Sequence, residues 1–349
     1  MSQYVVREFN PDQDRENLLA FWKEERPEWD HSRLDWLLKF NGYNHSRIWL
    51  LSKDDATAKV LGCASIFMRE FIINGENILG GVNCDFFVSK QHRTLGPSMM
   101  LMKTIVQEYP QHGAQFLLAY PNKKAISSVK RCEYHEVGEM KRMVKVLNFG
   151  YIITPKIANK PFCKIIIPLV NFLFKALSID FWHQILPRGK QITITTNAPG
   201  LVFEKQTFTK MESGVAGKYN DEFVHWRYLD QKHPTTNHVL FFKQEKNVIG
   251  FISTIILDNS IMVEDIMLTD SSFVLAVMVS LINYAREMQF SSVTIGMMEN
   301  SFYFNFLERC GFIMRENSRK VLIHCHDPEL QIKLLLEKKW WLTDGDVDI

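Results

Sequence analysis

The alternation of hydrophobic and polar positions divides the chain into two similar runs of strands and helices. The first run predicts strands over 4–9, 48–51, 60–68, 78–88, 116–120 and 140–147, with helices over 12–25, 32–40, 97–109 and 124–131. The second predicts strands over 239–242, 248–257, 261–268, 293–296 and 319–324, with helices over 272–288 and 302–309. Each run starts with strands and then alternates strands with helices, which is typical of a mixed α/β layer structure.

Short segments recur between the two runs in the same order. The matching pairs are Val60–Ser65 with Val248–Ser253, Cys84–Val88 with Glu264–Leu268, and Asn122–Tyr134 with Asn300–Phe312. An offset of about 180 residues corresponds to a whole domain and exceeds the period of solenoid repeats. We therefore predict an α/β (α+β) protein of two tandem domains, 1–150 and 201–349, joined by a segment over 151–200.

Part of the joining segment, 161–190, is rich in Ile, Leu and Phe and carries mostly basic charges. Its apolar runs are too interrupted for a spanning helix, which needs about 20 apolar residues. Two interpretations stay open. The segment forms a helical hairpin buried between the two domains, or an amphipathic helix lying on the inner face of a membrane with Trp182 at the interface.

Composition narrows the class of protein. The 46% hydrophobic and 23% charged residues are typical of a globular chain, and a net charge of +2 gives no electrostatic basis for nucleic-acid binding. The six cysteines include no C-x-x-C pair, so we expect reduced thiols and a cytoplasmic location. His324 and His326 lie on one side of a strand without further evident ligands, so we expect no metal.

The turn between the fourth predicted strand and the next helix has the strongest chemical signal. It reads Arg93, Thr94, Leu95, Gly96, Pro97, Ser98. Backbone N–H groups at a helix N-terminus bind phosphate, glycine permits close approach, and a guanidinium adds donors. The corresponding turn of the second run, 269–273, contains no glycine and carries Asp270. We therefore predict an anionic ligand at the first turn only.

In this order of elements the chain resembles the GNAT superfamily of acyl-CoA-dependent N-acyltransferases, faintly so in its second half. Arg93 and Gly96 match the [Q/R]-x-x-G-x-[G/A] donor turn, whereas Ser98 departs from it. Asn122 matches the family's next landmark. Val129 stands where many members carry a tyrosine acid, which puts that acid in doubt. The resemblance implies acetyl-CoA or another acyl-CoA as donor, with the Phe87 or Val88 amide as oxyanion donor.

The remaining candidate residues have structural alternatives. Asp85, between Cys84 and Phe86, is the first candidate base or else a structural ion-pair partner. His135 is an alternative base or acid, or a surface histidine. The candidate acceptor contacts, which could equally be core residues or a solvated terminus, are Trp226, Arg227, Tyr228, Asp265 and Asp346.

Together these observations predict an N-acyltransferase that moves an acyl group from CoA, or from carrier-protein phosphopantetheine, to an amine. An amino sugar or cell-surface precursor is the expected acceptor. The alternatives are a non-catalytic GNAT-like binding or assembly module, which Ser98 and Val129 favour, and a Fem-type aminoacyl transferase, which the near-neutral charge disfavours. The sequence leaves the oligomeric state open.

Overall fold

The computed structural model describes residues 4–39, 46–54, 59–151, 161–179, 181–182, 192–196, 214–229 and 237–347. Its helices are α1 Pro11–Glu25, α2 His31–Lys39, α3 Leu95–Glu108, α4 Ile126–Lys130, α5 Pro161–Ala176, α6 Asp221–Val224, α7 Val274–Glu287, α8 Phe302–Arg309 and α9 Pro328–Leu336. Its strands are β1 Tyr4–Glu8, β2 Arg47–Lys53, β3 Gly62–Ile73, β4 Glu76–Val88, β5 Phe116–Ala119, β6 His135–Val146, β7 Ile192–Thr195, β8 Val215–Gly217, β9 Asn237–Gln244, β10 Asn247–Leu257, β11 Ser260–Leu268, β12 Ser292–Met298, β13 Ile313–Cys325 and β14 Trp340–Trp341.

The described strands form one continuous mixed sheet. Its order is β1-β2-β3-β4-β5-β13-β6-β12-β11-β10-β9-β7, with β8 pairing to β3 and β14 to β8. The element order β3-β4-α3-β5-α4-β6 recurs as β10-β11-α7-β12-α8-β13. The last strand of each series pairs with the other series, because β13 lies beside β5 and β6 lies beside β12. The two series therefore share one sheet, and the boundaries at 150 and 201 stay a prediction.

Alternate side chains on the strands build cores on the two faces of the sheet. On β3, Ile66 and Met68 pack with Leu101 and Ile105 of α3. The intervening Phe67 joins the core that contains α1, α2 and the C-terminal segment. Helix α7 packs on β6, β11 and β12 through a third cluster. The face that bears α3 is thus separated from the face that bears α1, α2 and the C-terminal segment.

The C-terminal segment folds back along β11 and β12. The backbone N–H of Met298 donates to the Leu342 carbonyl at 3.0 Å, and Met297 forms a single antiparallel bridge with Thr343. The Thr343 hydroxyl donates to Asp265 at 2.9 Å, while Asp346 caps the backbone N–H of Thr343 at 2.8 Å. These bonds anchor residues 342–346 at the centre of the molecule.

Helix α5 is attached to the preceding residues Asn148 and Phe149 and exposes an apolar side. Asn171 accepts a hydrogen bond from the Phe149 N–H at 2.8 Å and donates one to Asn148 at 3.1 Å. Exposed apolar side chains recur on this helix and just after it, at Phe162, Ile165, Leu169, Phe172, Leu173, Phe174 and Leu177. One interpretation predicted that this segment is buried between the two domains. The exposed apolar side chains of α5 contradict that interpretation for this helix. Two of the basic residues of the segment 161–190, Arg188 and Lys190, lie outside the described residues.

No helix in the described ranges combines the length and the hydropathy needed to cross a membrane.

The buried ion pair between Arg69 and Asp346 joins β3 to the C-terminal segment, and both side chains are fully buried. We expect Asp346→Ala to lower the free energy of unfolding by about 3–5 kcal/mol, because it leaves the Arg69 charge buried without its carboxylate. Urea unfolding measures this loss. Glu28→Ala, which breaks the exposed pair with Arg26, is the matched control and should stay close to wild type. Equal stability of both variants would contradict this role for the pair.

Candidate active site

The central opening of the sheet lies where β4 and β5 part. These parallel strands pair only from Gly80 to Val82 on β4, opposite Phe116 to Leu118 on β5. Beyond Val82, β4 continues for six residues along β3 alone. Its backbone groups on the β5 side therefore face an opening instead of a neighbouring strand.

A β-bulge shapes the β4 side of this opening. Residues 85 and 86 of β4 lie opposite Ala64 alone, because the register shifts between the pairs Cys63–Phe87 and Ser65–Cys84. Asp85 has a φ of 49°, in the left-handed region, which aspartate tolerates better than most residues. The bulge bends β4 away from β5.

Arg33 of α2 holds the bulge in place. Its Nε donates to Asp85 Oδ1 at 3.0 Å, its Nη2 bonds the same oxygen, and its guanidinium lies 4.6 Å from the Trp29 ring centroid. The side chains of Arg33 and Asp85 are 4% and 0% exposed. To act as a base, Asp85 would have to accept a proton while this buried guanidinium binds it. The arrangement favours the structural alternative for Asp85.

A cavity of about 530 Å³ occupies the opening and is lined from both faces of the sheet. Part of its lining, Met102, Ala119 and Val129, belongs to the core beneath α3. Another part, Cys84, Met140 and Val347, belongs to the core on the opposite face. The volume lies within the ordinary range for small-molecule sites. Both faces of the sheet therefore contribute to the wall of the cavity.

Asp344, in the C-terminal segment, brings a carboxylate to the cavity wall. Its carboxylate occupies the place where a side chain at position 296 would stand, so only glycine there leaves it room. Burial raises the pKa of Asp344, while the positive charges of Arg319 and Arg142 oppose the rise. Asp344 was not among the predicted site residues, although Asp346, two positions later, was.

Tyr120, at the end of β5, also lines the cavity. Its hydroxyl is buried and has no hydrogen-bond partner among the described residues. Burial holds the pKa of Tyr120 well above its ordinary value, so the hydroxyl stays protonated and can donate. Nothing in the sequence marked this residue, because a tyrosine at a strand end is usually a core residue.

The predicted donor turn leads into α3 as expected. Thr94 precedes the helix without a side-chain cap, so the first N–H groups of α3 are left for another acceptor. A side chain at Gly96 would meet nothing within 4 Å, so the chain's own packing does not require glycine there. Pro97 is buried and Ser98 is partly exposed. In contrast, Asp270 caps the N–H of Ser272 at 2.7 Å at the corresponding turn before α7.

Two residues of the predicted donor site also stabilise local turns. Arg93 is exposed, and its Nε and Nη2 donate to the Val88 carbonyl at 3.1 and 3.0 Å, which leaves Nη1 for a ligand. Asn122 lines the cavity, and its side-chain oxygen accepts from the N–H groups of Lys124 and Ala125, both at 3.1 Å. Its amide nitrogen takes no part in this turn and is left as a donor for a ligand.

The structure places the predicted oxyanion donors and His135 outside the lining of the cavity. Phe87 and Val88, predicted to supply the oxyanion donor, pair with Cys63 and Gly62. The β4 residues that line the cavity end two positions earlier than Val88, at Phe86. His135 is exposed at the start of β6 and does not line the cavity, so its position favours the surface alternative.

The five predicted acceptor contacts are core residues in the structure and do not line the cavity. Trp226 stacks on Trp36 with ring centroids 4.3 Å apart. Arg227 is fully buried and donates to the Val347 carbonyl at 3.0 Å. Their burial corrects the prediction that these residues bind an acceptor.

The buried carboxylate Asp265 connects the same core. It accepts hydrogen bonds from the hydroxyls of Tyr219 at 2.6 Å, Tyr228 at 2.5 Å and Thr343 at 2.9 Å. Asp346 is ion-paired with Arg69. Both carboxylates are satisfied within the protein, so they anchor the C-terminal segment instead of facing a substrate.

Comparisons with known proteins bear on the fold. No family model matches the chain, and no curated protein matches it in sequence. Solved structures do match. A probable N-acyltransferase of Enterococcus faecalis is 8% identical with a TM-score of 0.62, over 97% of this chain and 75% of that one.

Two further matches come from other organisms. A GCN5-related N-acetyltransferase of Kribbella flavida is 11% identical with a TM-score of 0.54, over 93% of this chain and 71% of that one. The N-myristoyltransferase of Saccharomyces cerevisiae, solved with bound myristoyl-CoA, is 11% identical with a TM-score of 0.56, over 93% of this chain and 79% of that one. At these identities the similarity establishes the fold, and the predicted mixed α/β GNAT-like fold is confirmed.

Proposed function

We propose that this protein is an N-acyltransferase that transfers an acyl group from an acyl-CoA to an amine in the cavity between β4 and β5. The observation that carries the proposal is the cavity between β4 and β5, which is lined from both faces of the sheet and has a carboxylate of raised pKa, Asp344, in its wall. The uncapped start of α3 follows β4 along the chain and is the candidate site for the donor's phosphates. Similar solved structures are acyltransferases, one of them with bound myristoyl-CoA, which supports this class of reaction.

The donor side fits the phosphates and the chain of an acyl-CoA. The open N-terminus of α3, the unhindered Gly96 and the remaining donor of Arg93 suit the phosphates. The opening between β4 and β5 suits the extended arm that carries the thioester. When bound, the donor supplies an acyl group activated as a thioester. The backbone N–H groups of the β4 residues that line the cavity, Asn83 to Phe86, are the candidate oxyanion donors.

Asp344 is the candidate general base. An amine must lose a proton to become an acylated nitrogen, and a carboxylate whose pKa lies above the usual range accepts that proton more readily. Asp344 faces the cavity from the side opposite α3, where an acceptor can approach without crossing the donor. Asp85 lies on β4 itself, but its carboxylate is bound by Arg33.

Tyr120 is the candidate acid for the departing thiolate. Its hydroxyl lies at the cavity wall and has no hydrogen-bond partner among the described residues, so it is placed to donate a proton there. The position on α4 where the resemblance implies a tyrosine is occupied by Val129, which lines the same cavity. We propose that Tyr120, from the neighbouring strand end, supplies the proton that Val129 cannot.

The two-half organisation is also part of the proposal. We propose that the first half binds the donor and that the second half has become a scaffold. The capped turn at Asp270 and the C-terminal segment packed along β11 and β12 support this division. A non-catalytic binding module would need neither a base nor an acid at the cavity, so Asp344 and Tyr120 favour an enzyme. Whether the acceptor is an amino sugar stays a prediction.

Asp344→Asn is the direct test of the base. We expect turnover of acetyl-CoA or a longer acyl-CoA with a primary amine to fall by about 10²–10⁴-fold, because the amide cannot accept the proton. Release of free thiol measures turnover, and calorimetry with CoA should show unchanged donor affinity. Glu316→Gln is the matched control, since it neutralises an exposed carboxylate of β13 outside the cavity.

The pH profile of the same pair of proteins gives a second readout. The base must be ionised, so kcat/KM of the wild type should fall as the pH drops through the pKa of Asp344, which lies above its ordinary value of 3.8. The charges that act on this group are Arg319, Arg142 and Asp265. The acid limb should vanish in Asp344→Asn. A variant with wild-type turnover and an unchanged acid limb would exclude Asp344 as the base.

We propose further that the apolar side of α5 rests on an anionic membrane surface. At 1.5 Å per residue its 16 residues extend about 24 Å, too short to span a bilayer core of about 30 Å but suited to lying flat on it. Phe162, Ile165 and Phe172 are 72%, 75% and 61% exposed. The basic residues of 161–190 complement anionic head groups.

Flotation with phosphatidylcholine vesicles, with and without phosphatidylserine, tests this contact. We expect the wild type to float with the anionic vesicles at low salt and to be released by high salt. Ile165→Glu/Phe172→Glu should stay in the soluble fraction, since carboxylates oppose both insertion and anionic lipid. Leu336→Glu, at a 73% exposed position on α9, should float as the wild type does. A wild type that never floats would contradict the proposal.

A further inference from the structure

Two arginines reach the cavity without a carboxylate partner among the described residues. Arg142 of β6 and Arg319 of β13 both line it, and neither forms a hydrogen bond or ion pair within the described ranges. The adjacent Lys141 differs, because it donates to Glu139 at 2.5 Å and lies 3.5 Å from Glu299. Lys141 is in direct contact with carboxylates, whereas the two arginines interact with Asp344 only through the electrostatic effect of their charges, so their N–H donors are left for a ligand.

Strand register places both arginines on the same face of the sheet as Asp344. Arg142 lies directly opposite Gly296, the position over which the Asp344 carboxylate sits. Arg319 lies opposite Met140, and Met140 is two residues from Arg142 on the same strand. The side chains of Arg319, Met140 and Arg142 are therefore on one face of the sheet. Met140 belongs to the core of the C-terminal segment. This is the face opposite α3 and the donor turn.

The arrangement therefore combines one carboxylate with two guanidinium groups on one wall of a cavity. Guanidinium groups bind carboxylates and phosphates through paired N–H donors, and two of them near each other repel until an anion lies between them. A carboxylate nearby suits an ammonium or amine group. A ligand that satisfies all three groups carries an amine at one end and an oxyanion at the other.

We infer that the acceptor is a small primary amine bearing a carboxylate or phosphate, whose oxyanion is bound by Arg142 and Arg319 while its amine faces Asp344. The inference rests on the proposed function, because it assigns the acceptor of that reaction. In the proposed function, the phosphates of the donor bind on the other face of the sheet, at the start of α3. The two arginines therefore act on acceptor choice and leave donor binding unchanged.

Matched pairs of acceptors test the inference. Glucosamine 6-phosphate is compared with glucosamine, and alanine with alaninamide, so that each pair differs by one oxyanion. We expect kcat/KM for an anionic member to exceed that of its neutral partner by about 10–100-fold, as for charge-assisted hydrogen bonds. A preference in the first pair identifies phosphate as the group that the site binds, and a preference in the second pair identifies carboxylate.

Arg142→Met/Arg319→Met should abolish the preference while calorimetry with CoA stays unchanged. Arg319 is exposed and Arg142 is partly exposed, so the substitutions do not break the core. Arg309→Met removes an exposed charge at the end of α8 and should keep the preference. Equal use of neutral and anionic amines by the wild type, or loss of CoA affinity in the double variant, would overturn the inference.

A binding measurement separates this inference from the proposed reaction. Glucose 6-phosphate and lactate have the oxyanions of the two acceptors but no amine. Calorimetry should detect at least one of them with the wild type and neither with the double variant. If one binds in this way and no amine is acylated, the anion site stands and the proposed reaction fails. If neither binds and neutral amines are acylated, the reaction stands and the anion site is wrong.

Discussion

The parting of β4 from β5 is the constraint on which the rest of the site depends. Parallel strands that stayed paired would close the sheet and leave no passage between its faces. The bulge at Asp85, with φ of 49°, turns β4 aside, and the buried bond to Arg33 keeps it there. The carboxylate that sequence suggested as a base is thus better explained as the residue that holds the passage open.

The second half of the molecule has a corresponding opening between β11 and β12, and the C-terminal segment fills it. The shift between the pairs Ser253–Asp265 and Thr254–Val263 places a bulge at Glu264, and β11 pairs with β12 only as far as Val263. There the C-terminal segment packs, held by Thr343 on Asp265 and by Asp346 on Arg69. The segment that fills the second opening also carries Asp344 to the wall of the first. The C-terminal segment therefore makes the two similar halves different, because it closes the second opening and adds a carboxylate to the first.

Local signals in the sequence were sufficient for most of the elements and for the position of the turn before α3, although they did not predict β7, β8, α6, α9 or β14. Periodicity placed α8 at Phe302–Arg309, and the turn from Arg93 to Ser98 does lead into α3. The pairing of β6 with β12 and of β13 with β5 could not be predicted, because strand pairing between distant segments leaves no local pattern. The confirmed fold class needed only the order of strands and helices.

The acceptor side of the site was missed for a similar reason. Asp344 and Arg142 are 202 positions apart along the chain and meet only because the C-terminal segment folds back over Gly296. Trp226 and Arg227 attracted attention by residue type alone, and burial shows that their aromatic and charged groups serve the core. Residue type suggests chemistry, but cavity lining and unpaired charge decide where the chemistry can occur.

The central claim is that only the first opening accepts an acyl donor, and the stoichiometry of CoA binding tests it most directly. Calorimetry or native mass spectrometry of the full chain should give one CoA per chain. Gly96→Glu should abolish binding, because a carboxylate at the start of α3 repels phosphate. Ser271→Glu, the same charge at the corresponding turn before α7, should leave binding intact. Two CoA molecules per chain, no binding by the wild type, or equal loss in the two variants would contradict the account.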